Sequence, residues 1–318
     1  MDYELIIIGA GPSGLSCAIE AQKAGLNYLL IEKGGITDAI RRFPTNMTFF
    51  STCELIEIGD VPFTNTEMRP NRVEALQYYR RVVEHFGLNL KLHEEVTSIE
   101  TLDGSFNVHC KSVSLNAKNV IVATGYFDYT NRLGIEGEDL DHVSYYYDEP
   151  FAYAGSKVLM IGGRNSAAEA ALDLYRHGVD VTMIHRRDAL YDGIKYWVKP
   201  DLENRIKEGS ITLHLNTEAK AIRKGEVDLL NNRTGEQMTI EADFVFALIG
   251  YRPDEKLLNS AGVHLDEKLI PDFDESTYET NIKGLYIAGS VACGCETWNI
   301  FIENGREHAR PIISAIAN

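Results

Sequence analysis

The chain opens on an unbroken apolar run, Leu5-Ile6-Ile7-Ile8, that stops at Gly9. A short apolar stretch bounded by turn residues predicts a buried strand. Small and apolar positions then continue from Ser13 to about Ala24, which predicts a helix ended by Gly25. Asn27 to Ile31 reads as a second strand, with Glu32 at its end. The same pattern returns much later. Val158-Leu159-Met160-Ile161 runs into Gly162, a helix follows, and Asp180 to Ile184 makes the next strand. Further strand–turn patterns lie at Ala117 to Gly125, at Phe244 to Gly250 and at Gly284 to Ser290, and a last helix is expected over roughly 299–316. Strands alternating with helices predict an α/β protein with a parallel sheet in each half.

The two repeated turns carry candidate chemistry. Gly9-Ala10-Gly11-Pro12-Ser13-Gly14 fits G-x-G-x-x-G. The first glycine allows the tight turn, the second lets backbone approach a pyrophosphate, and the third lets helix and strand pack closely. The helix N-terminus aims its amides and dipole at that pyrophosphate, and Glu32 stands where an acid accepts bonds from ribose hydroxyls. In the second turn, Gly162-Gly163-Arg164-Asn165-Ser166-Ala167, Arg164 takes the middle position and Ala167 the third. Its second strand ends in His185-Arg186-Arg187 instead of an acid. Paired guanidiniums there suit a 2′-phosphate, which favours NADPH over NADH. Two dinucleotide sites in one chain point to hydride transfer between them, with FAD on the first and NADPH on the second. The expected fold is two Rossmann-like dinucleotide-binding domains, the NADPH domain inserted into the FAD domain. The FAD domain is expected at 1–126 and 252–318, and the NADPH domain at 127–251. Hinges are expected near Tyr126 to Asn131 and near Gly250 to Pro253, and the run Tyr145-Tyr146-Tyr147 with Pro150 reads as part of the connection.

Composition narrows the function class. The chain has 318 residues, 44% hydrophobic and 25% charged, which suits two domains of a globular enzyme. A net charge of −16 without a basic run excludes a nucleic-acid footprint. No stretch reaches the length of a membrane span. The start, Met1-Asp2-Tyr3-Glu4, is acidic and unlike a signal peptide. Five cysteines, an odd number with no disulfide-like framework, suit a reducing cytosol. A cytoplasmic protein is therefore expected.

Taken together, the first glycine turn, Ala123-Thr124-Gly125, Gly162-Gly163-x-Asn165-Ser166-Ala167, His185-Arg186-Arg187 and Gly284-Leu285-Tyr286-Ile287-Ala288-Gly289 resemble the low-molecular-weight thioredoxin reductases. Four more segments are similar to a narrower group, the YpdA-type bacillithiol disulfide reductases. These are Phe43-Pro44-Thr45-x-x-Thr48-Phe49-Phe50-Ser51, Ile58-Gly59-Asp60-Val61-Pro62-Phe63, Ile194-Lys195-x-Trp197-Val198-x-Pro200 and Ile300-Phe301-Ile302-Glu303-Asn304-Gly305. The resemblance implies NADPH-dependent reduction of a low-molecular-weight disulfide such as that of bacillithiol, and a homodimer. It also implies cofactor contacts at Lys33, Thr45, Phe50, Ser51, Val96, Ser290, Ile300 and Gly250, beside the glycine-turn, Ala123-Thr124-Gly125 and Gly289 positions.

Two departures bear on mechanism. Thioredoxin reductases carry Cys-x-x-Cys in the NADPH domain, whereas 111–292 of this chain contains no cysteine. Members of the narrower group often carry a cysteine in the first glycine turn, where this chain has Ser13. Cys17 lies one helical turn beyond Ser13 and reads as apolar filler. Cys293-Gly294-Cys295 is the remaining candidate catalytic pair: a helix dipole there would lower a thiol pKa, and a disulfide across one residue would be strained and readily reduced. The residues leave open a ferredoxin- or flavodoxin–NADP reductase-like enzyme, a flavin monooxygenase and a flavin-bound redox sensor. An acidic chain does not suit an acidic ferredoxin, and a sensor has less need of an NADPH-reading arginine pair.

Overall fold

The computed structural model describes residues 2–317. Strand β1 (Tyr3–Ile8), helix α1 (Pro12–Lys23) and strand β2 (Tyr28–Ile31) form the first strand–helix–strand unit. Pro12 sits at the helix start, where its missing N–H costs nothing and its fixed φ is already helical. Ile6 of β1 lies between Leu29 and Val120, both in parallel register. The seven-stranded sheet runs Leu90–Lys91, β2, β1, Ser114–Val122, Ser105–Cys110, Val96–Leu102, and Leu285–Ile287 pairs with the far half of Ser114–Val122.

Strands covered on both faces need apolar residues at every position, since successive side chains point to opposite sides. Leu5 and Ile7 pack on one side with Leu15, Ile19 and Tyr79, whereas Ile6 and Ile8 pack on the other with Ile99, Val120 and Leu285. Each such side chain contributes roughly 1.5–3 kcal/mol on burial.

The second unit repeats the plan. Its five-stranded parallel sheet runs Ile211–Leu215, Asp180–His185, Lys157–Ile161, Phe244–Ala247, Val143–Ser144. Val158 and Met160 face one cluster, Leu159 and Ile161 the other. The helix Asn165–Arg176 lies close on the sheet through Ala167, Ala168, Ala170 and Ala171, all buried. A three-stranded antiparallel sheet, Thr217–Arg223, Gly225–Asn231 and Gln237–Ala242, completes this unit.

The chain divides into compact units at Tyr129/Thr130 and at Gly250/Tyr251, with Thr130–Gly250 forming the second. The sequence alone suggests divides at 126/127 and 251/252. The difference at the first crossing has a physical cause. Phe127 packs edge-on against Phe43, and Asp128 pairs with both Lys33 and Arg42, which holds 127–129 on the first unit.

Two expectations are corrected. Tyr145 and Tyr147 are not linker: both are buried in the cores of the second unit, and the Tyr147 hydroxyl donates to Asp173 at 2.7 Å. The final helical segment is not one helix from 299. It begins with Ile302–Gly305, tightens to a 3₁₀ turn at Arg306–His308, and resumes as Ala309–Ala317. Among the described residues, no helix is long and apolar enough to cross a membrane.

Candidate functional site

In the first unit four segments converge at the N-terminus of α1. Gly9 has φ +105°, and a β-carbon there would lie 2.6 Å from the Ala123 carbonyl oxygen. A β-carbon on Gly14 would overlap the Gly9 carbonyl. A β-carbon on Gly125 would lie 3.3 Å from Ser290 Oγ, Gly289 abuts Ser13, and Gly305 lies against Gly289, Ser13 and Ile300. Thus the first glycine turn, Ala123-Thr124-Gly125, Gly289-Ser290 and the start of the last helical segment form one locus. Gly11 differs from its neighbours: a β-carbon there meets nothing within 4 Å. It caps α1 without a side chain, so the first-turn amides face that open space. Thr124 Oγ1 is buried with no hydrogen-bond partner among the described residues. An uncapped helix end, a clear cradle at Gly11 and an orphaned buried hydroxyl fit a dinucleotide pyrophosphate.

The outlying residues behave differently from one another. Glu32 is buried, and its two carboxylate oxygens accept the Ala10 and Gly34 amides at 2.8 and 2.7 Å. Burial, partly offset by those amides, raises its pKa. Each oxygen keeps a lone pair for a ribose hydroxyl. Lys33 pairs with Asp128 at 2.8 Å. Ser51 is buried and bonded to Glu303, while Phe50 is 56% exposed and Thr45 is exposed. Val96 begins the strand paired with Ser105–Cys110, opposite Cys110.

In the second unit, Gly162 (φ +152°) packs against Ala167 and the Leu248 carbonyl. A β-carbon on Gly163 would lie 2.5 Å from His185 Nδ1, so the His185 ring covers the turn. Arg164 is the N-cap of Asn165–Arg176 and makes no side-chain cap, and Ser166 is exposed in the first turn. Asn165 ties the turn to the following loop: its Oδ1 accepts from the Lys195 amide at 2.8 Å. Arg186 and Arg187 are exposed at the end of Asp180–His185. Burial first, then Arg187, Arg186 and Arg164, hold His185 below the usual histidine range. The positive charge of three guanidiniums thus bears on one imidazole. Gly250, far along the chain, has φ +99° beside the Asn131 side chain.

All five cysteines are free thiols, Cys293 and Cys295 among them. The Cys293 thiol is buried and donates to the Ser290 carbonyl at 3.0 Å; burial pushes its pKa up to about 11, opposite to the lowering expected at a helix end. Cys295 is also raised, mainly by burial. Cys17 is fully buried and pushed up to about 12, as befits a packing residue.

Two functional candidates are silent in the sequence. His308 accepts the Gly289 amide on Nδ1 at 3.2 Å and stacks on Tyr278 at 4.0 Å. Tyr191 lies 5.0 Å beneath the Arg164 guanidinium. A lone histidine in a helical pattern and a tyrosine in a loop carry no motif.

Comparison with known proteins agrees with this geometry. The profile of the family described as pyridine nucleotide-disulphide oxidoreductase matches residues 6–289. A Bacillus subtilis (strain 168) protein named Bacilliredoxin reductase Bdr is 40% identical over 98% of this chain and 97% of its own length. The solved structure of Bacillithiol Disulfide Reductase Bdr (YpdA) from Bacillus cereus superposes with a TM-score of 0.97 at 39% identity, covering 100% of this chain and 99% of that one. Its counterpart from Staphylococcus aureus gives 0.95 at 39% identity, covering 99% and 98%. The chain belongs to the pyridine nucleotide-disulphide oxidoreductase family, as a flavoprotein oxidoreductase that works with FAD and NADPH.

Proposed function

We propose that this protein uses NADPH to reduce the disulfide of bacillithiol. The observation that carries the reading is full-length likeness at 39% identity and TM-scores of 0.97 and 0.95 to two structures named for that activity. The chain's own thiols support it. With no cysteine in 111–292, and with Cys17 and Cys293 buried and raised, no protein dithiol is set up to pass electrons to a thioredoxin.

In this reading the α1 amides and Gly11 hold the FAD pyrophosphate, Thr124 offers its unpaired hydroxyl, and Glu32 takes ribose hydroxyls. Gly289 and Ser290 line the same locus. Arg186 and Arg187 hold the NADPH 2′-phosphate, and Gly162, Gly163 and the Asn165–Arg176 amides its pyrophosphate. Held there, FAD would supply the two-electron redox chemistry that links a nicotinamide to a disulfide. The protein's part is orientation and fixed dipoles. We further infer a cytosolic homo-oligomer, and light scattering on the purified protein tests its assembly state.

A second acceptor has a specific observation behind it, since the Bacillus subtilis relative is named for bacilliredoxin. Anaerobic stopped-flow separates the two. Rapid bleaching by NADPH followed by reoxidation with bacillithiol disulfide alone supports the proposal. Reoxidation only by oxidised bacilliredoxin moves the substrate to the protein disulfide. Replacing Arg186 and Arg187 with alanine should weaken NADPH far more than NADH; equal loss refutes the 2′-phosphate role.

A further inference from the structure

The second glycine turn carries a side chain where the fingerprint wants none, and the structure shows where that side chain goes. Arg164 does not lie along the helix it caps. Its guanidinium stacks over the Tyr191 ring at 5.0 Å, in the loop that leaves Arg187. Tyr191, exposed on its outer side, is held at its backbone and at its ring, in a loop that Asn165 ties down. Its backbone amide donates to the Gly163 carbonyl at 2.9 Å, its ring presses on Gly193 so closely that a β-carbon there would collide with it, and Asn165 holds the Gly193 carbonyl and the Lys195 amide. A guanidinium on a fixed aromatic face is pre-organised and loses less freedom on binding than a mobile one. It stands beside the strand end that reads the ribose: Arg164 follows Gly163, whose Cα is covered by the His185 ring at the end of Asp180–His185, and the Tyr191 on which it stacks lies in the loop that continues from Arg186 and Arg187.

We propose that Arg164, fixed on Tyr191, is a specificity-determining residue that closes a three-guanidinium cup around the 2′-phosphate of NADPH. The proposal rests on the NADPH reading above and deepens it. It also accounts for the tolerated side chain: the middle position gives up close approach to the pyrophosphate and gains a third fork aimed at the extra phosphate.

Calorimetry with the FAD-loaded protein, using 2′,5′-ADP and 5′-ADP as probes, tests it. Wild-type protein should prefer 2′,5′-ADP. Arg164→Ala should lose about tenfold to a hundredfold in 2′,5′-ADP affinity, the range for one charge-assisted bond, with little change for 5′-ADP. Tyr191→Leu should lose part of the same preference, by freeing the guanidinium, while Tyr191→Phe should restore it. Equal loss of both probes in Arg164→Ala would assign the residue to the shared part of the ligand and overturn the proposal, as would no loss at all. A wild-type protein without preference for 2′,5′-ADP, or an Arg186→Ala/Arg187→Ala variant that keeps the preference, sinks the underlying NADPH-site reading instead.

Discussion

Gly289 and Ser13 are in direct contact: a β-carbon on Gly289 would collide with the Ser13 hydroxyl and lie 2.7 Å from its Cβ. Gly289 also has φ +72°, a conformation that side chains resist. This contact seats the turn after Leu285–Ile287 on the N-terminus of α1. Gly289→Ala should therefore displace the flavin locus, at about 1–3 kcal/mol of strain and about tenfold to a hundredfold in FAD affinity. Flavin-to-protein ratio after gel filtration reads the loss. Because Ser13 Cβ is itself too close, adding Ser13→Ala should leave most of the defect in place. Full FAD retention in the single variant would show that the turn does not bear on the cofactor.

The cysteines give an opposite kind of prediction. Cys293 and Cys295 sit near the flavin locus but are raised thiols, poor in thiolate at neutral pH. Cys293→Ser and Cys295→Ser, alone or together, should keep kcat within about twofold. Cys17→Ser should instead destabilise by about 1–3 kcal/mol, since a hydroxyl replaces a fully buried apolar filler. Loss of turnover in the double variant, with FAD still bound, would restore a thiol relay.

Gly163 offers a variant confined to the second unit. Its Cα lies under the His185 ring, so that a β-carbon added there would sit 2.5 Å from Nδ1. Gly163→Ala must push His185, and with it the arginine-bearing strand end, out of place. FAD belongs to the other unit and should stay bound. Reduction of the flavin by NADPH should slow by about tenfold or more, while reduction by dithionite is unchanged. Equal slowing with both reductants would place the damage at the flavin.

What can be read in the chain, and what cannot, follows from how each feature is encoded. The strands Tyr3–Ile8 and Lys157–Ile161 are legible because two-faced burial leaves continuous apolar runs. The glycine turns are legible because positive φ and backbone contact at Gly9 and Gly162 admit little else. Tyr145 and Tyr147 mislead because tyrosine suits both core and linker, and only the neighbouring strands decide. The Cys293 thiol is only half legible: the helix end that suggests a lowered pKa is in the sequence, whereas the burial that raises it is not visible in the residues. His308 is invisible because its partner is a backbone amide brought near by the fold alone.

His308 also sets an acid limit on the fold. Its ring is buried between Tyr278 and the Gly289 amide, with Nδ1 as acceptor. Accepting that bond requires the neutral ring, and burial lowers its pKa to about 4 from 6.5. Between those values the unfolded chain takes up a proton that the folded protein refuses. The stabilisation is present in full above pH 6.5 and is lost progressively as pH falls toward 4, the loss reaching about 3 kcal/mol. His308→Gln keeps an acceptor for Gly289 but does not titrate. Melting temperatures should therefore fall more steeply for wild type than for this variant between about pH 7 and pH 4.5, although the variant starts lower. Bound FAD, followed by fluorescence over the same range, should be released at a higher pH from wild type. Parallel melting curves would remove His308 from the acid response and leave it a packing residue.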